Sequence, residues 1–179
     1  MSARFKILYS AMMGDQARNQ MIIADIAATV QVGRSPLVLT HRTEHLDSLA
    51  SALSGVAEVI VLKGGMGKKQ RKEASTQIVA LPNDQPRIVL ATGSYIGEGF
   101  DDSRLDTLIL TMPISWRGTL QQYVGRLHRI HQGKTVVRVY DYVDGLIPML
   151  ARMYARRLRG YRAIGYELEV GDPNQRHLL

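Results

Sequence analysis

The sequence contains no cysteine, which excludes disulfide bonds and thiolate metal sites. It has no apolar run long enough to span a membrane. Its first residues lead into no signal-peptide pattern, so we expect a cytoplasmic protein. Internal repeats and low-complexity segments are also missing. The 179 residues therefore suit a single domain with a full hydrophobic core.

A complete nucleotide-binding loop is missing as well. The pair Gly67-Lys68 would need Gly at position 62 and Ser or Thr at position 69 to form a Walker A motif, and these positions hold Leu and Lys. The pair Gly133-Lys134 fails because position 128 is His and a predicted helix precedes it. Gly64, Gly65 and the lysines that follow suit contacts with a nucleic-acid backbone, and a solvated loop is an equally good interpretation.

Metal and serine-nucleophile sites are disfavoured. The pairs His41 and His45, and His128 and His131, have no third ligand at metal-binding spacing. Gly93-Ser94 follows a predicted strand, but position 96 is Ile where a nucleophile elbow has Gly. We therefore expect neither a metal site nor a serine hydrolase.

The charge balance favours a polyanionic partner. The formal net charge is +7 and the pI is about 9.9, which indicates nucleic acid first and a membrane surface second. Basic residues are grouped in 68–72 and 152–162, and this grouping favours nucleic acid. The second group, interleaved with apolar residues, predicts an amphipathic helix with its arginines in solvent, and phosphate binding is the alternative. These arginines are Arg152, Arg156, Arg157, Arg159 and Arg162.

Short apolar strands alternate with helices along the chain. The predicted strands are 36–40, 56–62, 87–91, 105–111 and 135–142, and the predicted helices are 15–32, 44–53, 68–81, 119–129 and 146–161. In the first helix, Asp15 suits the N-cap and an apolar stripe recurs every four residues. The alternation predicts an α/β fold with a mostly parallel sheet of five to six strands covered on both faces. Function in such sheets gathers in the loops after the strands.

The loop 92–102 is unusually rich in glycine and acidic residues. Gly93, Gly97 and Gly99 allow backbone amides to approach an anion or a sugar closely. Glu98 and Asp101 suit ribose hydroxyls or an arginine as partners. The alternative is a turn-rich loop without a ligand, but its place after a strand favours function.

The segment 122–129 carries the strongest signal. A helix would place Gln122, Arg126 and Arg129 on one face, since they are four and three residues apart. Two guanidinium groups that converge in this way suit a phosphate. A solvated basic face is the alternative, and Gln122 also fits a capping box with Thr119.

These segments, in this order on an alternating sheet, resemble the C-terminal RecA-like motor domain of superfamily 2 DEAD/DEAH-type helicases. Residues 91–101 resemble motif V, and 122–129 match the motif VI pattern Gln-x-x-Gly-Arg-x-x-Arg. Residues 36–53 resemble motif IV, and the resemblance covers about residues 15–145. The sequence Gly-Glu-Gly-Phe-Asp, with Gln where DEAD-box proteins have His, favours the DNA-repair and restriction-enzyme branch.

The resemblance implies a role for each matched residue. Arg126 and Arg129 resemble arginine fingers that stabilise the γ-phosphate of ATP during hydrolysis, and Gln122 would set the geometry there. Four residues of motif V are expected to bind the cofactor, either by facing the ribose of ATP or by coupling to motif VI. They are Gly97, Glu98, Gly99 and Asp101. The expected nucleic-acid contacts are Thr40, His41, Arg42, Gly64, Gly65, Thr92, Gly93 and Ser94.

The departures from the family are as informative. Such motors need a first RecA-like domain with Walker A and Asp-Glu-x-x motifs, and this sequence has neither. The resemblance therefore implies a missing N-terminal RecA-like domain that holds most of ATP with Mg²⁺, and no appreciable ATP hydrolysis by this chain alone. It favours DNA over RNA as the partner, without a membrane. We expect an N-terminal extension over 1–14, the motor domain over 15–164 and a loose tail over 165–179.

Two other functions stay open. The first is a basic nucleic-acid-binding module without coupling to ATP, which would bind in a strongly salt-dependent way. The second is a small-molecule enzyme on a Rossmann-like sheet. It is the least favoured, because Gly-x-Gly-x-x-Gly does not follow the first strand.

Overall fold

The computed structural model describes residues 3–93, 95, 102–114 and 120–169. Within these residues the helices are α1 (Ala3–Gly14), α2 (Gln16–Gln31), α3 (Thr43–Leu53), α4 (Lys68–Ala80), α5 (Gln121–Leu127) and α6 (Pro148–Ala163). The strands are β1 (Pro36–Thr40), β2 (Glu58–Leu62), β3 (Arg87–Thr92), β4 (Thr107–Leu110) and β5 (Arg138–Asp141).

The five strands form one parallel sheet in the order β2-β3-β1-β4-β5. Parallel neighbours need crossover connections, and the intervening helices supply them. All five carboxyl ends therefore lie at one edge of the sheet, which we call the carboxyl edge. The predicted α/β fold, a RecA-like three-layer sandwich, is confirmed.

Helices α2 and α3 cover one face of the sheet. The apolar stripe predicted in α2 is buried, and the side chain of Asp15 accepts a hydrogen bond from Arg18 N at 3.0 Å as its N-cap. Val38 of β1 points to this layer. The apolar residues buried here from the two helices are Ile22, Ile26, Val30, Leu46, Leu49 and Leu53. Local periodicity therefore predicted this layer correctly.

Helices α4, α5 and α6 contribute to the other face. Leu37 and Leu39 of β1 point to this side, because successive strand residues alternate between the two faces of a sheet. The helix residues buried with them are Ala74, Ile78, Tyr123, Val124, Leu127 and Tyr161. Strand β1 is buried along its whole length, as expected for a central strand in a parallel sheet.

The segment predicted as an N-terminal extension forms α1. Its Tyr9 and Met12 are buried in a small cluster with Met112, which follows β4, and Leu150 of α6. The hydroxyl of Tyr9 donates to the carbonyl of Pro113. These contacts attach α1 to the polypeptide just beyond the carboxyl end of β4.

The prediction that all α6 arginines lie in solvent is wrong for Arg157. Its side chain is 1% exposed, and its Nε and Nη2 donate to the two carboxylate oxygens of Asp141 at 2.7 and 2.8 Å. Nη1 donates to the carbonyl of Ile114 at 2.9 Å. A fully paired guanidinium tolerates burial, and its partner lies on β5, outside the helical pattern that was the basis of the prediction.

Several predicted boundaries also moved, among them those of α5 and β5. Helix α5 ends at Leu127, so Arg129 lies in the following turn, where its N–H donates to the carbonyl of Arg126 at 3.3 Å. A bond across three residues tightens the last turn and ends the helix. Strand β5 covers four residues of the predicted 135–142.

Candidate nucleotide and nucleic-acid interface

Three of the predicted loops meet at the carboxyl edge. Thr40 of β1 and Thr92 of β3 are register partners, and the N–H of Gly93 donates to the carbonyl of Thr40 at 3.3 Å. The N–H of Gly64 donates to the hydroxyl oxygen of Thr92 at 2.9 Å. The segments that resemble motifs IV and V and the loop around Gly64 are thus joined by hydrogen bonds.

Thr40 is held from inside the domain. Its hydroxyl lies 2.9 Å from Nδ1 of His45, and Nε2 of His45 lies 3.1 Å from Oδ1 of Asn19. Since the amide of Asn19 also donates from Nδ2 to the carbonyl of Met13, its Oδ1 is the acceptor, and Nε2 of His45 carries the proton. Nδ1 then accepts from the Thr40 hydroxyl. Burial, and next the charge of Arg18, lower the pKa of His45 to about 4, so the ring is neutral.

The two threonines and the glycines have different exposure. Thr40 and Thr92 are buried, with 4% and 5% of their surface exposed; the Thr40 hydroxyl contacts His45 of α3, and the Thr92 hydroxyl contacts Gly64 of a neighbouring loop. Gly64 and Gly65 are exposed, and Gly65 has a φ of +86°, a conformation that favours glycine. The two buried threonines therefore hold parts of the carboxyl edge together, and the backbone of Gly64 and Gly65 lies at the surface.

Helix α5 is tied to this edge through Tyr123. The buried Tyr123 donates its hydroxyl hydrogen to the carbonyl of Gly93. On this helix Gln122 is exposed and Arg126 is half-buried, and Arg129 is exposed in the turn that follows. Burial raises the pKa of Tyr123, and the charge of Arg126 opposes that rise. The phenol therefore stays protonated and able to donate.

His41 and Arg42 lie at the start of α3, beside α1. His41 is exposed, Arg42 is half-buried, and the His41 ring meets the ring of Tyr9 edge to face at 5.5 Å between centroids. Sequence reasoning gave no role to Tyr9 or Tyr123. Tyr123 lies inside the motif VI match, and that position was the only available signal.

The end of the glycine-rich loop is anchored by two arginines. Asp102 is buried, and Arg104 donates to both of its carboxylate oxygens at 2.7 and 3.0 Å. The buried Arg87 places Nη1 3.9 Å from the same carboxylate and donates to the carbonyls of Ile78 and Gln85. This cluster fixes where β4 begins relative to α4.

Part of the predicted site lies outside the described residues: Ser94, Gly97, Glu98, Gly99 and Asp101. Within the described ranges, no group of three or more histidine or acidic side chains could hold a metal ion. In the same ranges, no helix is long and apolar enough to cross a membrane.

Comparisons with known proteins agree with this architecture. The family model of the helicase conserved C-terminal domain matches residues 17–131. The uncharacterized protein 108L of Invertebrate iridescent virus 3 is 31% identical over 91 residues, which are 51% of this chain and 83% of that protein. The crystal structure of T4 UvsW superimposes with a TM-score of 0.68 at 16% identity. The match covers 91% of this chain and 35% of the UvsW chain.

A second solved structure is similar over most of both chains. The E. coli DEAD-box protein SrmB, bound to regulator of ribonuclease activity A, gives a TM-score of 0.58 at 19% identity and covers 79% of each chain. At such identities the structural likeness shows the shared fold. The family match at 17–131 includes every predicted site residue from Thr40 to Arg129. The chain therefore belongs to the helicase conserved C-terminal domain family.

Proposed function

We propose that this chain is the C-terminal motor domain of an ATP-dependent nucleic-acid helicase or translocase. In this proposal ATP lies in the cleft between this domain and an N-terminal RecA-like domain of the parent protein. Arg126 and Arg129 stabilise the charge that develops on the γ-phosphate, and Gln122 orients the γ-phosphate or the attacking water. The support is chemical, since arginine binds phosphate oxygens with paired donors and keeps its charge at all working pH values.

The hydrogen bond from Tyr123 to Gly93 is the observation that carries the proposal. It joins the arginine-bearing helix to the motif V loop, and Gly93 in turn bonds to Thr40 of β1. A movement of α5 during hydrolysis is thereby passed to the loops that contact the strand. A domain that only bound nucleic acid would not require this link.

The remaining predicted contacts complete the proposal. Gly97, Glu98, Gly99 and Asp101 face the ribose of ATP or couple to motif VI, and the first motor domain holds Mg²⁺. The exposed elements of the carboxyl edge, His41 and Gly64-Gly65 foremost, contact the nucleic acid, with Thr92 holding the glycine loop in place. We propose that the nucleic acid is DNA rather than RNA, because of the sequence Gly-Glu-Gly-Phe-Asp in the motif V segment.

The test is ATP turnover by the parent protein, or by this chain mixed with its first motor domain, with and without DNA or RNA. Arg129→Ala should abolish the stimulated turnover while nucleic-acid binding survives, because the finger acts on ATP. Arg138→Ala is the matched control. Arg138 is an exposed arginine at the start of β5, at the opposite edge of the sheet, and its loss should leave turnover unchanged.

Other outcomes identify the alternatives. Stimulated turnover that survives Arg129→Ala would contradict the finger role. Salt-dependent binding without any turnover would favour the nucleic-acid-binding module, a function that the net charge of +7 also supports. Robust turnover by the 179-residue chain alone would refute the requirement for a second domain.

A further inference from the structure

Three aromatic rings from two distant segments form a continuous row beside the carboxyl edge. Phe5 and Tyr9, one turn apart on α1, stack with their centroids 5.9 Å apart and their planes at 28°. Tyr9 then meets His41 at 5.5 Å with the planes at 88°. The row therefore connects α1, outside the family match at 17–131, to the turn after β1.

The middle ring of the row is rigidly held. Tyr9 is 4% exposed, its hydroxyl donates to the carbonyl of Pro113, and it packs in a cluster with Met12 and Leu150. A buried aromatic ring with its polar end bonded is a fixed support. His41, which contacts it, is exposed, so the row ends at the molecular surface.

The perpendicular geometry leaves aromatic surface on His41. If the edge of the Tyr9 ring points at a face of the imidazole, the opposite face of the imidazole is left uncovered by Tyr9. If the edge of the imidazole points at Tyr9, both imidazole faces are left uncovered by Tyr9. Partial removal from water, and then the charge of Arg42, lower the pKa of His41 below its ordinary value of 6.5. The ring is therefore neutral at neutral pH and suited to stacking rather than to pairing with a phosphate.

The position of His41 relates this ring to the strand path. His41 directly follows Thr40, whose carbonyl accepts a hydrogen bond from Gly93, in the loop proposed to contact phosphates. The bases of an unpaired strand can be splayed out, so that side chains beside a backbone-binding loop can reach them. Aromatic rings bind bases of any sequence, because every base has a π-face.

We propose that His41, supported by Tyr9 of α1, stacks against an unpaired nucleobase, so that this edge prefers single strands whose bases are accessible. The proposal rests on the nucleic-acid contact under Proposed function and adds the chemistry by which the strand is recognised. It also gives α1 a role, since α1 supplies the ring that fixes His41.

The test is equilibrium binding by the full chain to two oligonucleotides of equal length and charge. One is a single-stranded DNA with bases, and the other is an abasic sugar-phosphate strand. The wild type should bind the first more tightly. His41→Ala should weaken that binding by about 5- to 150-fold, the range for the loss of one base–aromatic stack, and leave binding to the abasic strand unchanged.

Two further variants separate stacking from charge. His41→Phe should keep the preference for bases, and His41→Lys should lose it while binding both strands through phosphates. Tyr9→Leu should weaken base binding less than His41→Ala. The unfolding midpoint of each His41 variant checks that the domain is intact, which is expected for an exposed residue.

The outcomes are distinct. Two results would overturn the stacking role and leave the proposed nucleic-acid contact in place. One is equal binding of the wild type to the two strands, and the other is an equal loss of binding to both strands in His41→Ala. If the wild type binds neither strand, the contact under Proposed function fails and the stacking role fails with it.

Discussion

Acidification should destabilise this domain through His45. The ring is buried between Thr40 and Asn19, and its pKa is lowered to about 4 in the folded chain, from 6.5 in the unfolded chain. Between these values the unfolded chain binds a proton that the folded chain does not, so the free energy of unfolding falls as the pH falls. The stabilising contribution is complete above pH 6.5 and is lost towards pH 4, and it amounts to roughly 3 kcal/mol at 1.36 kcal/mol per pKa unit.

The assay is urea unfolding of the wild type and of His45→Gln at several pH values from 7.5 to 4.5. The variant lacks the titrating ring, so the wild type should lose stability relative to it over this range, whatever the absolute cost of the substitution. His131→Gln removes one imidazole outside this network and is the control for the titration. Parallel curves for the wild type and His45→Gln would refute the assignment of a neutral, buried His45.

Two further predictions concern other buried contacts. Arg157→Leu should lower the free energy of unfolding by about 3 to 5 kcal/mol, because the carboxylate of Asp141 loses its cation; Arg156→Leu, at an exposed position on the same helix, should change it by less than about 0.5 kcal/mol. Equal losses in the two variants would contradict the burial of Arg157. Tyr123→Phe should cost about 1 kcal/mol through the lost bond to Gly93 and should reduce nucleic-acid stimulation of turnover in the parent protein. Unchanged stimulation would argue against that bond as the coupling element.

The sequence was sufficient wherever the signal was local. The stripe of Ile22, Ile26 and Val30 repeats every four residues, and the structure buries all three. The Asp15 cap was readable because its partner, the Arg18 N–H, is three residues away. Short apolar runs separated by turn residues predicted the strands, and the loops after these strands predicted the carboxyl edge as the functional edge.

Contacts between distant segments could not be predicted from local sequence patterns. Arg157 has the spacing of a solvent-facing residue, and only the position of Asp141 at the end of β5 makes its burial possible. The sequence of 1–14 shows no stronger pattern than an extension, and its helix α1 becomes part of the fold because Tyr9 and Met12 pack beside Leu150. The end of α5 before Arg129 was also missed, since boundaries depend on the local geometry of the last turn.

The sequence by itself determined the α/β class, the parallel sheet and the helicase motifs, because periodicity and motif spacing are properties of consecutive residues. The tertiary structure decided which of these motifs touch. It joined Gly93 to Tyr123 and Gly64 to Thr92, and it brought Tyr9 to His41. Such contacts depend on how the strands are ordered and how the helices cover them, and residues that are adjacent in this arrangement are separated by tens of positions along the chain.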